Sequence, residues 1–239
     1  YDALDADARA VLDLFAWYAP EGLDAALLTD VPESERSEEI LEAITEDLHT
    51  LCADPERVAA ATTALVRRSL LAREGEAFAL HRMSAAAVRA LQAQARRRDA
   101  MARQAAAVLA AAYPYRSHLV ENGPACARLT PHVLALHRAW PLGEADRLES
   151  AAAEYLFNQA SNYLLEMAEH GPALALAEAS LALTRARLPE SHRDVAVGWS
   201  MLGAAYGAAG RLEDAVTAQA VNVRLSEAHD HGVEKLATA

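Results

Sequence analysis

The chain has 239 residues, of which 53% are hydrophobic and 5% are aromatic. This composition excludes a disordered chain, and because the apolar residues are mainly Ala, Leu and Val it favours packed helices over sheets. The net charge is −12 and no apolar run reaches the roughly 18 residues of a membrane span, so we expect no membrane segment and no secretory leader. The first residue is Tyr1, and we expect a segment of a longer protein.

Charge is distributed unevenly along the chain. The first 56 residues hold 16 acidic residues and two arginines, a net charge of −14, whereas the stretch from Arg57 to Arg103 holds ten arginines and three acidic residues. This dipolar layout suits contact between neighbouring domains, although a solvated surface would have the same composition. The two cysteines, Cys52 and Cys126, form no CxxC motif. Their spacing indicates a reducing compartment, and we expect a cytoplasmic protein.

The first third of the chain is predicted to be helical. The stretch from Asp5 to Ala19 places Ala8, Val11, Leu12 and Phe15 on one helical face and stops at Pro20. A short helix is predicted over Leu23–Leu28 and a longer one over Glu39–Cys52, because both have apolar residues at helical spacing. Asp54 and Pro55 then provide an N-cap and a first-turn proline for a helix that continues to about Arg68.

Two short apolar segments between Ser69 and His81 flank Glu74 and Gly75, which is typical of a β-hairpin. Helices followed by a small hairpin predict a winged-helix-like domain over residues 1–98, whose last helix is Met83–Arg98. Residues 99–145 are predicted to be a helical linker or a degenerate repeat, with helices over Asp99–Ala112 and Pro131–Trp140.

The last third contains an internal repeat. The segment Trp199-x2-Leu202-Gly203-x2-Tyr206 has an earlier copy in Phe157-x2-Ala160-Ser161-x2-Leu164, and Ala215 follows as Ala173 does. Both pairs of positions, Phe157 with Trp199 and Ala173 with Ala215, are 42 residues apart. The pattern resembles the tetratricopeptide repeat, and the turn His192-Arg193-Asp194-Val195-Ala196 is similar to that of its kinesin-light-chain class. We therefore predict an all-α protein that ends in a tetratricopeptide α-solenoid over 146–239, with a third unit beginning after Ala228.

A winged helix followed by such repeats resembles the end of the bacterial NB-ARC (STAND-type) signalling ATPases. The resemblance covers Leu12–Glu21, Ser69–Leu71 and Leu80-His81-Arg82, where the family has a Met-His-Asp-like motif. It implies that His81 contacts the phosphate of ADP, that ADP or ATP is held by an upstream nucleotide-binding domain, and that the full-length protein oligomerises on activation. His81 would otherwise be a histidine hydrogen-bonded at the end of a strand.

The chemistry of an enzyme is missing from the sequence. The only lysine is Lys235, and no glycine-rich Walker A motif precedes it. The nine histidines are scattered without the spacing of metal ligands or of a catalytic triad. We therefore expect a non-catalytic segment that holds no cofactor or metal of its own. Nucleic-acid binding by the helix Pro55–Arg68 is not expected either, because the acidic first lobe would repel a duplex.

Four residues are candidates for a partner groove. Asn158, Asn162 and Glu166 follow one another at one-turn intervals along the first helix of the first repeat, and Ser200 lies in the corresponding helix of the second. Asparagine side chains can hydrogen-bond an extended peptide backbone, which predicts a protein or peptide partner, whereas an unliganded groove would use them only for solvation. The resemblance predicts a regulatory segment of a nucleotide switch. The alternatives are a plain adaptor and a winged-helix transcription regulator.

Overall fold

The computed structural model describes residues 1, 3–29, 31, 37–140 and 150–237, with side chains as far as residue 228. The chain is 72% helical and contains one small antiparallel sheet, which confirms the all-α prediction. The helices are α1 (Ala6–Phe15), α2 (Ala26–Thr29), α3 (Glu38–Leu41), α4 (Glu46–Cys52), α5 (Pro55–Arg67), α6 (Arg82–Gln94), α7 (Arg98–Ala112), α8 (Gly123–Ala139), α9 (Ala151–Glu166), α10 (His170–Arg187), α11 (Arg193–Ala208) and α12 (Leu212–Ala237). Strands β1 (Ala72–Glu74) and β2 (Ala77–Ala79) follow α5, and a 3-10 turn (Val120–Asn122) precedes α8.

The chain forms two compact units. The first comprises Tyr1–Pro114 and Pro124–Pro141, and the second comprises Tyr115–Gly123 and Leu142–Ala239. The first unit therefore includes α7 and most of α8. The division differs from the predicted domain boundary near residue 98, which lies inside the first unit, and most of the predicted linker 99–145 belongs to that unit.

In the first unit, α1 packs against α5 and also contacts α6 and α7. Asp5 caps α1 as its side chain accepts a hydrogen bond of 2.7 Å from the amide of Ala8. Val11, Leu12 and Phe15 are at most 1% exposed, as the helical spacing predicts. The Asp54 carboxylate caps α5 in the same way, accepting from the amides of residues 56 and 57 at 3.0 and 3.1 Å.

The β-hairpin has the predicted position. Glu74 pairs with Ala77 across a turn in which Gly75 adopts a φ of +65°, a conformation that glycine accepts without a Cβ penalty. Phe78 of β2 also exchanges two backbone hydrogen bonds with Leu23, at 3.0 and 2.7 Å. The segment after α1 is thereby held beside the hairpin, and Leu80 is tied to Pro20 by a further backbone bond of 2.8 Å.

Three predicted helices differ from those observed. The predicted helix Glu39–Cys52 is broken into α3 and α4, because Thr45 has extended backbone angles and its Oγ1 accepts a bond from the amide of Leu48 at 3.4 Å, which starts a new helix. The helix predicted from Pro131 begins at Gly123, and Pro131 lies inside it. The short helix predicted over Leu23–Leu28 occupies Ala26–Thr29, because Leu23 pairs with the hairpin.

In the second unit, each helix packs against the next, so that α10 contacts α9 and α11, and α11 contacts α12. A core forms between α10 and α11 from Ala177, Leu181, Val195, Leu202 and Ala205. Helix α12 continues to Ala237 without a break, so the third unit predicted to begin after Ala228 has no boundary there.

We expect Leu181→Ala to lower the free energy of unfolding of the second unit by about 2–5 kcal/mol, the usual cost of removing a buried leucine. Leu181 is 5% exposed within the core between α10 and α11. The matched control is Met167→Ala, whose side chain is 53% exposed and whose loss should change stability by at most about 0.5 kcal/mol. Urea titrations followed by circular dichroism measure both variants, and equal effects would contradict this core.

A second prediction concerns His132 of α8, which is 2% exposed. Its Nδ1 accepts from the amide of Ala19 at 3.2 Å, so the neutral ring carries its proton on Nε2, which lies 3.2 Å from the carbonyl of Gly22. Burial, assisted by nearby Arg128 and opposed by the Gly22 carbonyl and by Asp24, lowers the pKa of His132 from its ordinary value of 6.5.

Because the folded chain binds this proton less readily than the unfolded chain, the stabilisation is complete above about pH 6.5 and is lost as the pH falls below that value. Burial also lowers the pKa of His137, which adds to the same dependence. We expect urea midpoints to fall between about pH 6.5 and 5. In His132→Gln the stability should be lower at neutral pH, but its slope in this range should be smaller; an unchanged slope would contradict the role of His132.

Candidate functional site

His81 lies at the N-cap of α6, directly after the hairpin. Its Nδ1 accepts a hydrogen bond from the amide of Met83 at 3.2 Å, and the imidazole is exposed. In the neutral ring the proton is then on Nε2, which has no hydrogen-bond partner within the described residues. The side chain therefore caps a helix with one nitrogen and keeps a donor for an external acceptor on the other.

An open cavity of about 510 Å³ adjoins His81. Its walls come from the segment after α1, from the residues around β1 and from the end of β2, and they comprise Pro20, Glu21, Ser69, Leu70, Ala72, Glu74, Ala79, Leu80, His81 and Arg82. The cavity carries two carboxylates, Glu21 and Glu74, beside one arginine. These three side chains together carry a net charge of −1, so an attraction for phosphate at this place would rest on the Nε2 donor of His81 and on Arg82.

On α9 the structure brings Asn158 and Asn162 together. Asn162 Nδ2 donates to Asn158 Oδ1 at 3.4 Å, and Gln159 Nε2 donates to the same oxygen at 3.4 Å. Both asparagines are half-buried, whereas Glu166 is exposed at the end of the helix. Among the residues that the structure describes, Asn158 Nδ2 and Asn162 Oδ1 have no partner, so the pair offers one donor and one acceptor, the complement of a peptide group.

Ser200 lies on α11, 42 residues after Asn158 and hence at the equivalent place of the second helix pair. Its carbonyl oxygen accepts a bond of 3.1 Å from Gln219 Nε2 of α12, and the residue is half-buried. In the described part of the chain, no hydrogen bond joins Ser200 or Glu166 to the asparagine pair. Of the four predicted groove residues, the structure therefore joins only Asn158 and Asn162.

Metal ligands, membrane-spanning helices and reactive thiols are the other features of the described residues that could indicate a site. No group of His, Cys, Asp and Glu there could hold a metal ion, and no helix there combines the length and apolar character needed to cross a membrane. Cys52 and Cys126 are buried free thiols. Burial raises the pKa of the Cys52 thiol to about 11, so this thiol stays protonated near neutral pH.

A second cleft was missed by the sequence reasoning. Three arginines, Arg82 and Arg89 of α6 and Arg138 of α8, line a cavity of about 260 Å³. The first two belong to the basic stretch Arg57–Arg103, but Arg138 lies far beyond it in the sequence. Only the packing of the first unit brings α8 to this place, so the charge pattern alone indicated two of the three arginines.

No family model matches the chain, and neither the proteins of curated function nor the solved structures contain a match to it. The function is therefore argued from the geometry of the asparagine pair, of His81 and of the surrounding helices.

Proposed function

We propose that the chain is a non-catalytic, protein-binding and regulatory segment of a nucleotide-switch protein of the NB-ARC type. In this proposal the first unit is a winged-helix clamp for the ADP-bound state, and α9–α12 are tetratricopeptide helix pairs that sense a protein or peptide partner. The observation that carries it is the packing of α9–α12, in which residues 42 positions apart play matching parts.

The apolar positions support the repeat. Phe157 is fully buried on α9, and its counterpart Trp199 packs against the core between α10 and α11. Ala173 of α10 and Ala215 of α12 occupy equivalent places near the start of the second helix of each pair. In the second pair a Cβ on Gly207 would lie 3.9 Å from the Cβ of Ala215, so small residues permit close approach here.

The polar positions change in a compensating way between the two pairs. In the first, the fully buried Ser161 donates its hydroxyl to the carbonyl of Ala173 at 2.9 Å. Its counterpart Gly203 has no side chain, and a Cβ there would lie 2.7 Å from Gln219 Nε2. Gln219 is itself the counterpart of Ala177 in the first pair. The larger side chain therefore lies on the first helix in the first pair, as Ser161, and on the second helix in the second pair, as Gln219. This exchange supports a common geometry of the two helix pairs.

The first unit supports the winged-helix proposal through the order of its elements. Helix α1 is followed by Leu23, which pairs with β2, then by the short helices α2 and α3, by α4, by α5 and by the hairpin. A bridging strand residue, helices and a two-stranded wing in this order are the components expected of such a domain. His81, at the end of the hairpin, then lies where its free Nε2 can donate to a phosphate oxygen of ADP held by a separate domain.

A plain adaptor is the alternative within the same architecture. It would use the asparagine pair to bind a partner, but His81 would only cap α6. A glycine-rich Walker A sequence encoded upstream of Tyr1 would favour the nucleotide switch, and a reading frame without one would favour the adaptor. A winged-helix transcription regulator is the other alternative. It would place Arg67, Arg68 and Arg73, which are all exposed, near the phosphates of a duplex, and the acidic first lobe argues against it.

For the partner surface, we expect Asn158→Ala combined with Asn162→Ala to weaken binding of extended peptides about tenfold, as two hydrogen bonds to the peptide backbone are lost. Peptides selected on the wild-type chain by display would be titrated against each variant by fluorescence anisotropy. Asn222→Ala, which removes an amide from α12, is the matched control. If the double variant binds as tightly as this control while remaining folded, the asparagine pair is not the peptide surface.

For His81, we expect His81→Asn to reduce the retention of ADP by the full-length protein. Asparagine preserves an N-cap acceptor for the Met83 amide, so helix α6 should stay intact while the imidazole donor is lost. His49→Ala removes an exposed histidine of α4 and serves as the control. Bound ADP would be measured after desalting, and equal retention in the wild type and both variants would refute the contact assigned to His81.

A further inference from the structure

The arginine cleft of the first unit is built by three parts of the chain. Arg82, Ala85 and Arg89 lie at i, i+3 and i+7 on one face of α6, and the last turns of α8 contribute Ala135, Arg138 and Ala139. The segment that leaves α1 closes the remaining side with Trp17, Tyr18 and Pro20. The floor is thus apolar and aromatic, and the charged groups stand around it.

Among the residues that the structure describes, the charged groups lining this cleft are all positive. No carboxylate is among the described lining residues, and within the same part of the chain the side chains of Arg82 and Arg138 make no hydrogen bond or ion pair. Arg98, at the start of α7, adds a further positive charge nearby, since it donates to the carbonyl of Ala139 at 2.9 Å. By contrast, Arg57, Arg97 and Arg128 of the same unit each pair with an aspartate.

Arg89 is the most informative of the three because it is half-buried. It donates one hydrogen bond from Nη1 to the carbonyl of Ala16, at the end of α1, and the other donors of its guanidinium have no partner among the described residues. Burial and the neighbouring charge of Arg98 lower the pKa of Arg89. A partly desolvated cation without a counter-charge is costly, and an anion in the cleft would remove that cost.

We propose that this cleft binds a small phosphate-bearing anion through Arg82, Arg89 and Arg138. Guanidinium groups bind phosphate and carboxylate oxygens through paired N–H donors. The volume of the cleft, about 260 Å³, accommodates a small anion. A phosphate group carries nearly two charges on three acceptor oxygens, whereas a carboxylate carries one on two, and three arginines are therefore matched better by phosphate.

This inference goes beyond the proposed function, because the phosphate contact assigned to His81 uses a different side chain, and the two cavities share only Pro20 and Arg82 of their lining residues. Neither the helix pairs nor a nucleotide-binding domain is needed for it. The structural explanation that the arginines serve only the carbonyls at helix ends accounts for Arg89 and Arg98, but it leaves Arg82 and Arg138 without a role.

The test is isothermal titration calorimetry of the whole chain with inorganic diphosphate in a buffer of low ionic strength. We expect saturable binding at one site, weakened by added sodium chloride. Arg82→Gln and Arg138→Gln should each weaken it about tenfold, since each removes a charge-assisted contact. The control Arg68→Gln, an exposed arginine at the end of α5, should bind like the wild type.

Two further variants keep the test informative. Arg89→Lys retains the positive charge but loses the guanidinium fork, so we expect it to fold normally and to bind diphosphate more weakly than the wild type. His81→Asn is measured for ADP retention by the full-length protein, a separate readout that distinguishes a failure of this inference from a failure of the nucleotide contact. Circular dichroism spectra would establish that all variants are folded.

The proposal would be overturned by any of three results. The first is no saturable heat of binding with diphosphate. The second is equal affinity of Arg82→Gln, Arg138→Gln and the Arg68→Gln control. The third is that a short DNA duplex or an acidic peptide binds in a manner sensitive to Arg82 and Arg138 while diphosphate does not, which would assign the cleft to a macromolecule. If ADP binds as tightly as diphosphate, the cleft contacts only the phosphate groups, which supports the proposal.

Discussion

Close approach between helices is the constraint on which both units depend, because alanine supplies much of the buried surface. The central turns of α7 bury alanines on several sides, and α9 and α10 do the same at fewer positions; fully buried examples are Ala102, Ala105, Ala106, Ala107, Ala110, Ala153, Ala160 and Ala173. Each methyl group contributes only about 0.8 kcal/mol on burial. Stability therefore comes from many short contacts between helix backbones, and larger side chains would force the helices apart.

A buried polar network in the first unit satisfies one of the large side chains. Trp17 is fully buried and donates from Nε1 to Gln92 Oε1 at 2.9 Å. Gln92, also fully buried, donates from Nε2 to the carbonyl and carboxylate oxygens of Asp13 at 3.1 and 3.0 Å. This network joins α1 to α6 and leaves both atoms of the amide satisfied, which is the condition under which a buried polar group is tolerated. It also fixes the segment that forms one wall of the arginine cleft.

The sequence predicted what local chemistry controls and missed what tertiary packing controls. The caps at Asp5 and Asp54 and the turn at Gly75 act within a few residues, and the elements they start or close lie where expected. The sequence predicts a helix that begins at Pro131, whereas α8 begins at Gly123 and its Leu129, Val133 and Leu136 are all fully buried. Their packing offsets the roughly 3 kcal/mol that an interior proline costs.

The candidate sites show the same difference between what local sequence determines and what tertiary packing determines. A periodicity of one helical turn was enough to place Asn158 and Asn162 side by side, because both lie on one helix. Whether Ser200 would meet them depended on the packing of α9 and α11, which the spacing of one helix does not specify. The arginine cleft depended still more on packing, since α6 and α8 contribute to it from separate regions of the sequence.

The ion pairs of the first unit give another explanation for the acidic and basic stretches of the sequence. The acidic first lobe and the basic stretch after it suggested contact between domains, yet much of that complementarity is used inside the first unit, where Asp7, Asp13 and Asp24 each pair with an arginine. Asp13 is buried, whereas the partly exposed pairs of Asp7 and Asp24 add little stability, but all three pairs neutralise charge locally. In the described part of the chain they leave an excess of positive charge around one cleft. In a protein with a net charge of −12, such a concentration of arginines without a carboxylate partner among the described residues is the feature that the fold itself does not require.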